Sequence, residues 1–329
     1  VAADLNALIE RSDLDGLVAA VDRLCADEAW DGLVSLGERC RAALERGRQL
    51  WPVASHIDYR LALQAPAKWA ASVLLAGRGR FALGPLPEVA AARHRWAELA
   101  DSMPADAGPL AAVCAHERVV RGDDVSTVGD VDASVLETSL HLESWEGPYA
   151  LADYHAHRAE FPFPQLPPPK TRLTLARDPR PSDETEGRRA LIDLAGAWTT
   201  ESDGRAETTA VHGDVADALS GLGMRDARVA ELDPSEALAL MAWTAASGGA
   251  HGRRRGMASG RFAAWWTVAA IGGISEDWPL PPEAIGETAA ELRWYRWDAG
   301  EPDTGWACRL AVEDPAEGLA WALAATDSA

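Results

Sequence analysis

The sequence predicts an α + α/β chain. An all-helical domain, an irregular bundle or short α-solenoid, covers residues 1–160; a Pro-rich linker covers 161–187 and a mixed α/β domain 188–329. Three observations carry this reading. Apolar residues recur at helical spacing from the N-terminus to about residue 120. Prolines then crowd FPFPQLPPPK and return in RDPRPSDETEG, which suits neither a helix nor a central strand. Beyond them the period changes, and short strand-like runs alternate with helical ones. At roughly 150 residues per domain, the 329-residue chain accommodates two cores.

In the first half, Leu5, Leu8 and Ile9 share one face of an opening helix, and Ser12 or Asp13 caps a second that carries Leu14, Leu17, Val18, Val21 and Leu24. Leu33, Leu36, Cys40 and Leu44 continue the pattern over 30–45, with Gly47 behind it. Further helices are predicted over 52–64, 67–75, 87–103 and 109–120. The tryptophans Trp30, Trp51, Trp69 and Trp96 are unevenly spaced, so no named repeat is supported. In the second half, strands are predicted over 190–200 and 207–212, a helix over 214–222 and a strand over 228–232. Asp233 with Pro234 starts a helix over 235–246. A helix over 259–271, a hairpin of 291–297 with 306–312, and a closing amphipathic helix over 315–325 complete the domain.

The net charge is -20 and is spread evenly. Residues 1–160 carry 15 Lys+Arg against 25 Asp+Glu, and residues 161–329 carry 16 against 26. Such a field repels nucleic acid and anionic lipid, so nucleic-acid binding is disfavoured. Only Lys68 and Lys170 are lysines; with the abundant alanine this points to a GC-rich bacterial source. Cys25, Cys40, Cys114 and Cys308 show no metal-binding spacing, so they are read as reduced thiols of a cytoplasmic protein. No apolar run approaches the ~20 residues that span a bilayer, and the N-terminal residues do not resemble a signal peptide.

The most pointed segment runs from Ser247 to Arg261. Gly248, Gly249, Gly252, Gly256 and Gly260 interleave with His251, Arg253, Arg254, Arg255 and Arg261, and a helix follows. Glycines let backbone N–H groups approach a ligand, a helix N-terminus favours negative charge, and guanidiniums clamp phosphate or carboxylate. Gly248, Gly249, His251, Gly252, Arg253, Arg254, Arg255 and Arg261 are therefore the predicted anion-binding residues. The P-loop pattern is absent. The simpler alternative is a solvated loop whose arginines pair with the chain's own carboxylates.

Other constellations are weaker. His155 and His157 form an HxH pair, with His141 and Glu143 nearby in sequence, but an isolated HxH reads as an exposed turn, and no metal site is predicted. Cys114 and His116 face apart on a helix. Gly77-Arg78-Gly79-Arg80-Phe81-Ala82 follows a helix, not the strand that a dinucleotide fingerprint requires. The paired Trp265 and Trp266 and the run Arg293-Trp294-Tyr295-Arg296-Trp297 could stack a ring ligand, but large rings pack cores more often. Overall the residues predict a non-catalytic scaffold whose Gly/Arg loop holds an anionic small molecule or a protein partner's carboxylate. The alternative is an enzyme for a phosphorylated or carboxylated metabolite, with His212 or His251 as acid/base; it requires the two to converge on one pocket. No cofactor is assigned.

Overall fold

The computed structural model describes residues 2–128, 131–175, 178–300 and 305–328. The chain divides into two compact units, one of residues 1–135 with 152–161 and the other of 136–151 with 162–329.

The first unit is helical, as its periodicity predicts. Its helices are α1 (Ala2–Arg11), α2 (Leu14–Ala26), α3 (Trp30–Ala42), α4 (Trp51–Gln64), α5 (Ala67–Ser72), α6 (Leu86–Ala91), α7 (Trp96–Ala100) and α8 (Pro109–Val119). Asp13 caps α2, its Oδ1 accepting from the Gly16 N–H at 2.9 Å. The α4 helix is buried along nearly its whole length and packs against α2, α3 and α6. The predicted helix over 87–103 is broken into α6 and α7, because residues 92–95 leave the helical path.

A hairpin of β1 (Asp153–Tyr154) and β2 (Ala159–Glu160) completes this unit, with Asp153 opposite Glu160. It is fastened to the helices at several points. The Tyr59 hydroxyl donates to the His155 carbonyl at 2.5 Å, the Tyr154 hydroxyl donates to Glu88 Oε2 at 2.7 Å, and Arg93 donates to the Tyr154 carbonyl at 3.0 Å.

The second unit contains β3 (Thr171–Arg172), β4 (Arg180–Pro181), α9 (Glu186–Leu194), α10 (Gly196–Glu201), β5 (Arg205–His212), α11 (Val215–Gly221), β6 (Arg228–Leu232), α12 (Pro234–Ala246), α13 (Met257–Ile271), α14 (Pro282–Glu291), β7 (Arg293–Asp298), β8 (Trp306–Asp314) and β9 (Leu319–Asp327). The seven strands from β3 to β9 form one sheet, ordered β3-β6-β7-β8-β9-β5-β4, with every pairing antiparallel. The stretch 161–187, read as linker, thus supplies both edge strands.

Two predicted elements are exchanged for their opposites. Residues 190–200 are helical, not extended: Gly187, Ala190, Leu191 and Leu194 fall at helical spacing and are the buried face of α9. Residues 319–325 lie in strand β9, not in a closing helix. Leu319, Trp321 and Leu323 alternate with Ala320, Ala322 and Ala324, a period of two that alanine's helix propensity disguises. Ala320 and Ala322 pack with Ala311, Trp297 and the α11 residues Ala218 and Leu219. The capping of α12 follows the sequence: the Asp233 N–H donates to Glu236 Oε2 at 2.9 Å.

The α12 and α13 helices are buried almost throughout and lie close together. A Cβ at Gly260 would stand 2.2 Å from the Ala242 carbonyl oxygen, so only glycine permits this crossing. No helix among the described residues is long and apolar enough to cross a membrane.

Candidate functional site

The Gly/Arg loop is held by the chain's own carboxylates. Glu201, the last residue of α10, accepts from the Arg253 N–H at 3.2 Å and from the Arg255 guanidinium at 2.6 Å. Asp327, 2 % exposed at the end of β9, accepts from the Ala250 N–H at 2.6 Å. The His251 N–H donates to Ser202 Oγ at 3.1 Å and the Arg255 N–H to the Ala246 carbonyl at 2.7 Å. Gly248 and Gly252 pass so closely that a Cβ on either would meet the other's backbone at 2.3 Å, which fixes the loop's shape. The glycines therefore bring backbone to backbone and to Asp327. The amides of residues 250, 251, 253 and 255 point inward and are spent on the protein itself, which departs from a nest of amides open to an outside anion. The side chains of His251 and Arg253 are exposed on this fixed frame.

An aromatic cluster underlies the loop. Trp198 donates through Nε1 to Ser247 Oγ at 2.7 Å, and Trp243 stacks on Trp306 with ring centroids 5.0 Å apart. Phe163 meets Trp243 edge-on at 4.8 Å, beside an apolar cleft of about 450 Å³ that Pro148, Tyr149, Leu151 and Ala239 also line. Trp265 and Trp266 lie elsewhere, on α13.

Arg261 does not join the loop. Its side chain is 1 % exposed and forms a forked ion pair with Glu146, Nε to Oε1 at 2.7 Å and Nη2 to Oε2 at 2.8 Å. It also donates to the Ser139 carbonyl (2.8 Å), the His141 carbonyl (3.0 Å), Ser139 Oγ (2.9 Å) and Thr138 Oγ1 (3.2 Å). Trp265 donates to Glu146 Oε1 at 3.0 Å, and its ring lies 4.7 Å from the guanidinium carbon. Burial works against charge on Glu146, but the Arg261 hydrogen bonds and charge reverse that and hold its carboxyl below the usual range. With its donors committed, Arg261 is a core ion-pair residue and not a ligand clamp.

The two histidines of the enzyme reading do not converge. His212 ends β5, opposite Leu319, whereas the His251 loop is tied to Ser202 before β5 and to Asp327 at the far end of β9. The length of β5 separates them, about 23 Å at strand rise.

The HxH pair is split by the hairpin. His155 Nε2 lies 3.3 Å from Asp153 Oδ2, within its own hairpin. His157 turns toward two helices: its Nε2 lies 3.2 Å from Asp22 Oδ1 of α2, and its ring stacks on His56 of α4 at 5.5 Å between centroids. Among the described residues, Asp22, His56 and His157 are the His/Cys/Asp/Glu group whose donor atoms gather closely enough to hold a metal ion, all within 4.8 Å of one another. Burial, with the nearby Arg60 and His157, pushes the His56 imidazole down to about 4, so it is neutral at physiological pH. Burial opposes charge on Asp22 too, but the hydrogen bond and charge of Arg60 hold its carboxyl below the ordinary value. Sequence reasoning missed this group because its members lie far apart in the chain. The one local signal was HxH, which named His157 but neither partner.

No curated protein and no solved structure matches the chain. Residues 15–329 match a family described as "Family of unknown function (DUF6183)", and the chain belongs to that family.

Proposed function

We propose that the protein is a non-catalytic binding protein, and that the loop over 247–256 presents its basic side chains to a carboxylate-bearing segment of a protein partner. The observation that carries this is the set of internal contacts that anchor the loop's backbone without a partner. Glu201, Asp327 and the Gly248–Gly252 contact fix its backbone. The cost of ordering on binding is therefore reduced. The amides are used internally, so recognition falls to exposed side chains, Arg253 and His251 first. Guanidiniums pair with carboxylates two-pronged. This favours a row of acidic side chains over a small phosphate cradled by backbone.

A basic loop on a chain of net charge -20 also steers an acidic segment to one place, since the remaining surface repels it. The four cysteines are buried free thiols, which fits the cytoplasmic reading. The enzyme reading has less support, because the separation of His212 and His251 leaves it without an acid–base pair.

The test is fluorescence anisotropy with a labelled glutamate-rich peptide, with inorganic phosphate in a parallel titration. Wild type should bind the peptide in a salt-sensitive manner, and Arg253→Ala with Arg254→Ala should weaken binding at least about tenfold. No peptide binding by wild type, or equal binding by the double variant, refutes the reading. Tight phosphate binding without peptide binding would return the small-anion alternative.

A further inference from the structure

We infer that Asp22, His56 and His157 form a binding site for a divalent transition-metal ion of the zinc class. Two imidazoles and one carboxylate suit Zn²⁺, Co²⁺ or Ni²⁺, whereas Mg²⁺ and Ca²⁺ prefer all-oxygen shells. The donor atoms come from three separate elements yet gather within 4.8 Å. A tetrahedral ion with arms of about 2.1 Å holds its donors roughly 3.4 Å apart. The His157–Asp22 pair already stands at 3.2 Å. The remaining adjustment falls to His157, the most exposed of the three at 55 %, whose ring must turn out of its stack on His56 to aim its lone pair at the ion.

The group is braced as a ligand site needs to be. Tyr59 lies one helical turn beyond His56 on α4, and its hydroxyl fixes the His155 carbonyl, two residues before His157. The same helix therefore supplies one ligand and positions the turn that supplies another. Arg60, on the next residue, hydrogen-bonds Asp22 and Gln64 and orients the carboxylate. Its positive charge also opposes the ion, so affinity is lower than at a site with anionic neighbours.

His56 Nε2 is buried without a hydrogen-bond partner, so the ring keeps an uncommitted nitrogen. Three protein ligands leave at least one coordination position for water or a further donor.

The experiment is a thermal-unfolding titration of the metal-free full chain with Zn²⁺ and, separately, Mg²⁺, supported by the visible absorption of the Co²⁺-loaded protein. Zn²⁺ should raise the wild-type midpoint saturably, since an ion that binds only the native state stabilises it. Mg²⁺ should leave it unchanged. His157→Ala should weaken Zn²⁺ binding at least about tenfold. Asp22→Asn should weaken it as well and alter the Co²⁺ spectrum. His155→Ala, on the same hairpin but turned to Asp153, should bind like wild type; because His157 is exposed, His157→Ala and His155→Ala should have matching circular dichroism. No Zn²⁺ response in wild type, an unimpaired His157→Ala variant, or an equal loss in His155→Ala would overturn the assignment.

Discussion

Replacing Arg261 with methionine should destabilise the second unit by about 3–5 kcal/mol at neutral pH, the usual cost of breaking a buried ion pair from one side. The structure supports a value in that range. Both partners are essentially inaccessible, at 1 % and 0 % side-chain exposure, so water cannot replace the lost guanidinium. Glu146 would keep donors from Tyr149 at 2.5 Å, Trp265 at 3.0 Å and the Glu143 N–H at 3.0 Å, but no cation. The carbonyls of Ser139 and His141 would lose their donors too.

The pH dependence supplies a second, independent check. In wild type the Glu146 carboxyl is held below its ordinary value of 4.5, so its contribution is present above that value and lost as pH falls through the folded pKa. In the variant, burial without the cation pushes the same carboxyl upward, and it takes up a proton at mildly acidic pH. The deficit should therefore be greatest near pH 7 and shrink toward about pH 4. Urea unfolding followed by tryptophan fluorescence and by circular dichroism reads both effects. Adding Glu146→Leu to Arg261→Met should recover much of the loss, because no charge then remains buried alone. A single variant within about 1 kcal/mol of wild type, or a deficit that grows in acid, would refute the reasoning.

Two further outcomes are expected. Gly260→Ala should lower the urea midpoint by an equivalent of about 1–3 kcal/mol, although alanine is the better helix former, because its methyl group would meet the Ala242 carbonyl; a raised midpoint would show that α12 and α13 part easily. Asp327→Ala should accelerate amide hydrogen exchange at Ala250 and His251 while slow core amides of α12 stay protected, because Asp327 Oδ2 is what the Ala250 N–H donates to; unchanged exchange would mean that Glu201 and the glycine contact alone hold the loop.

Helices such as α2 and α3 were legible because they bury one face at a constant angular step, and α2 and α12 also because Asp13 and Asp233 sit where orphan N–H groups need acceptors. The β9 strand was not, because alternating alanines satisfy either period when the partner surfaces are unknown. The Gly/Arg loop was legible as a special backbone, but its direction was not. Glu201 and Asp327 reach it from 52 and 77 residues away, and no local pattern announces them. Arg261 shows the same limit. One turn into a helix after three consecutive arginines, it reads as part of their cluster, yet its partner is 115 residues earlier. For the Asp22, His56 and His157 group, α2, α4 and the hairpin had to be folded before the three could be seen together.

The placement of β3 and β4 has a mechanical result. They occupy opposite borders of the sheet, while the chain from Arg172 to Arg180 can reach at most about 29 Å fully stretched. Six inter-strand steps laid flat would need about 29 Å as well. The sheet cannot therefore lie flat between its two borders, and Leu173 and Leu175 lean onto the Ala-rich face as the chain leaves β3. Both rims are two-residue strands, which leave only a short ladder on which a neighbour's strand can pair. Shortening the connection by two residues would have to coil the sheet further, whereas lengthening either rim strand would offer a neighbour a longer edge.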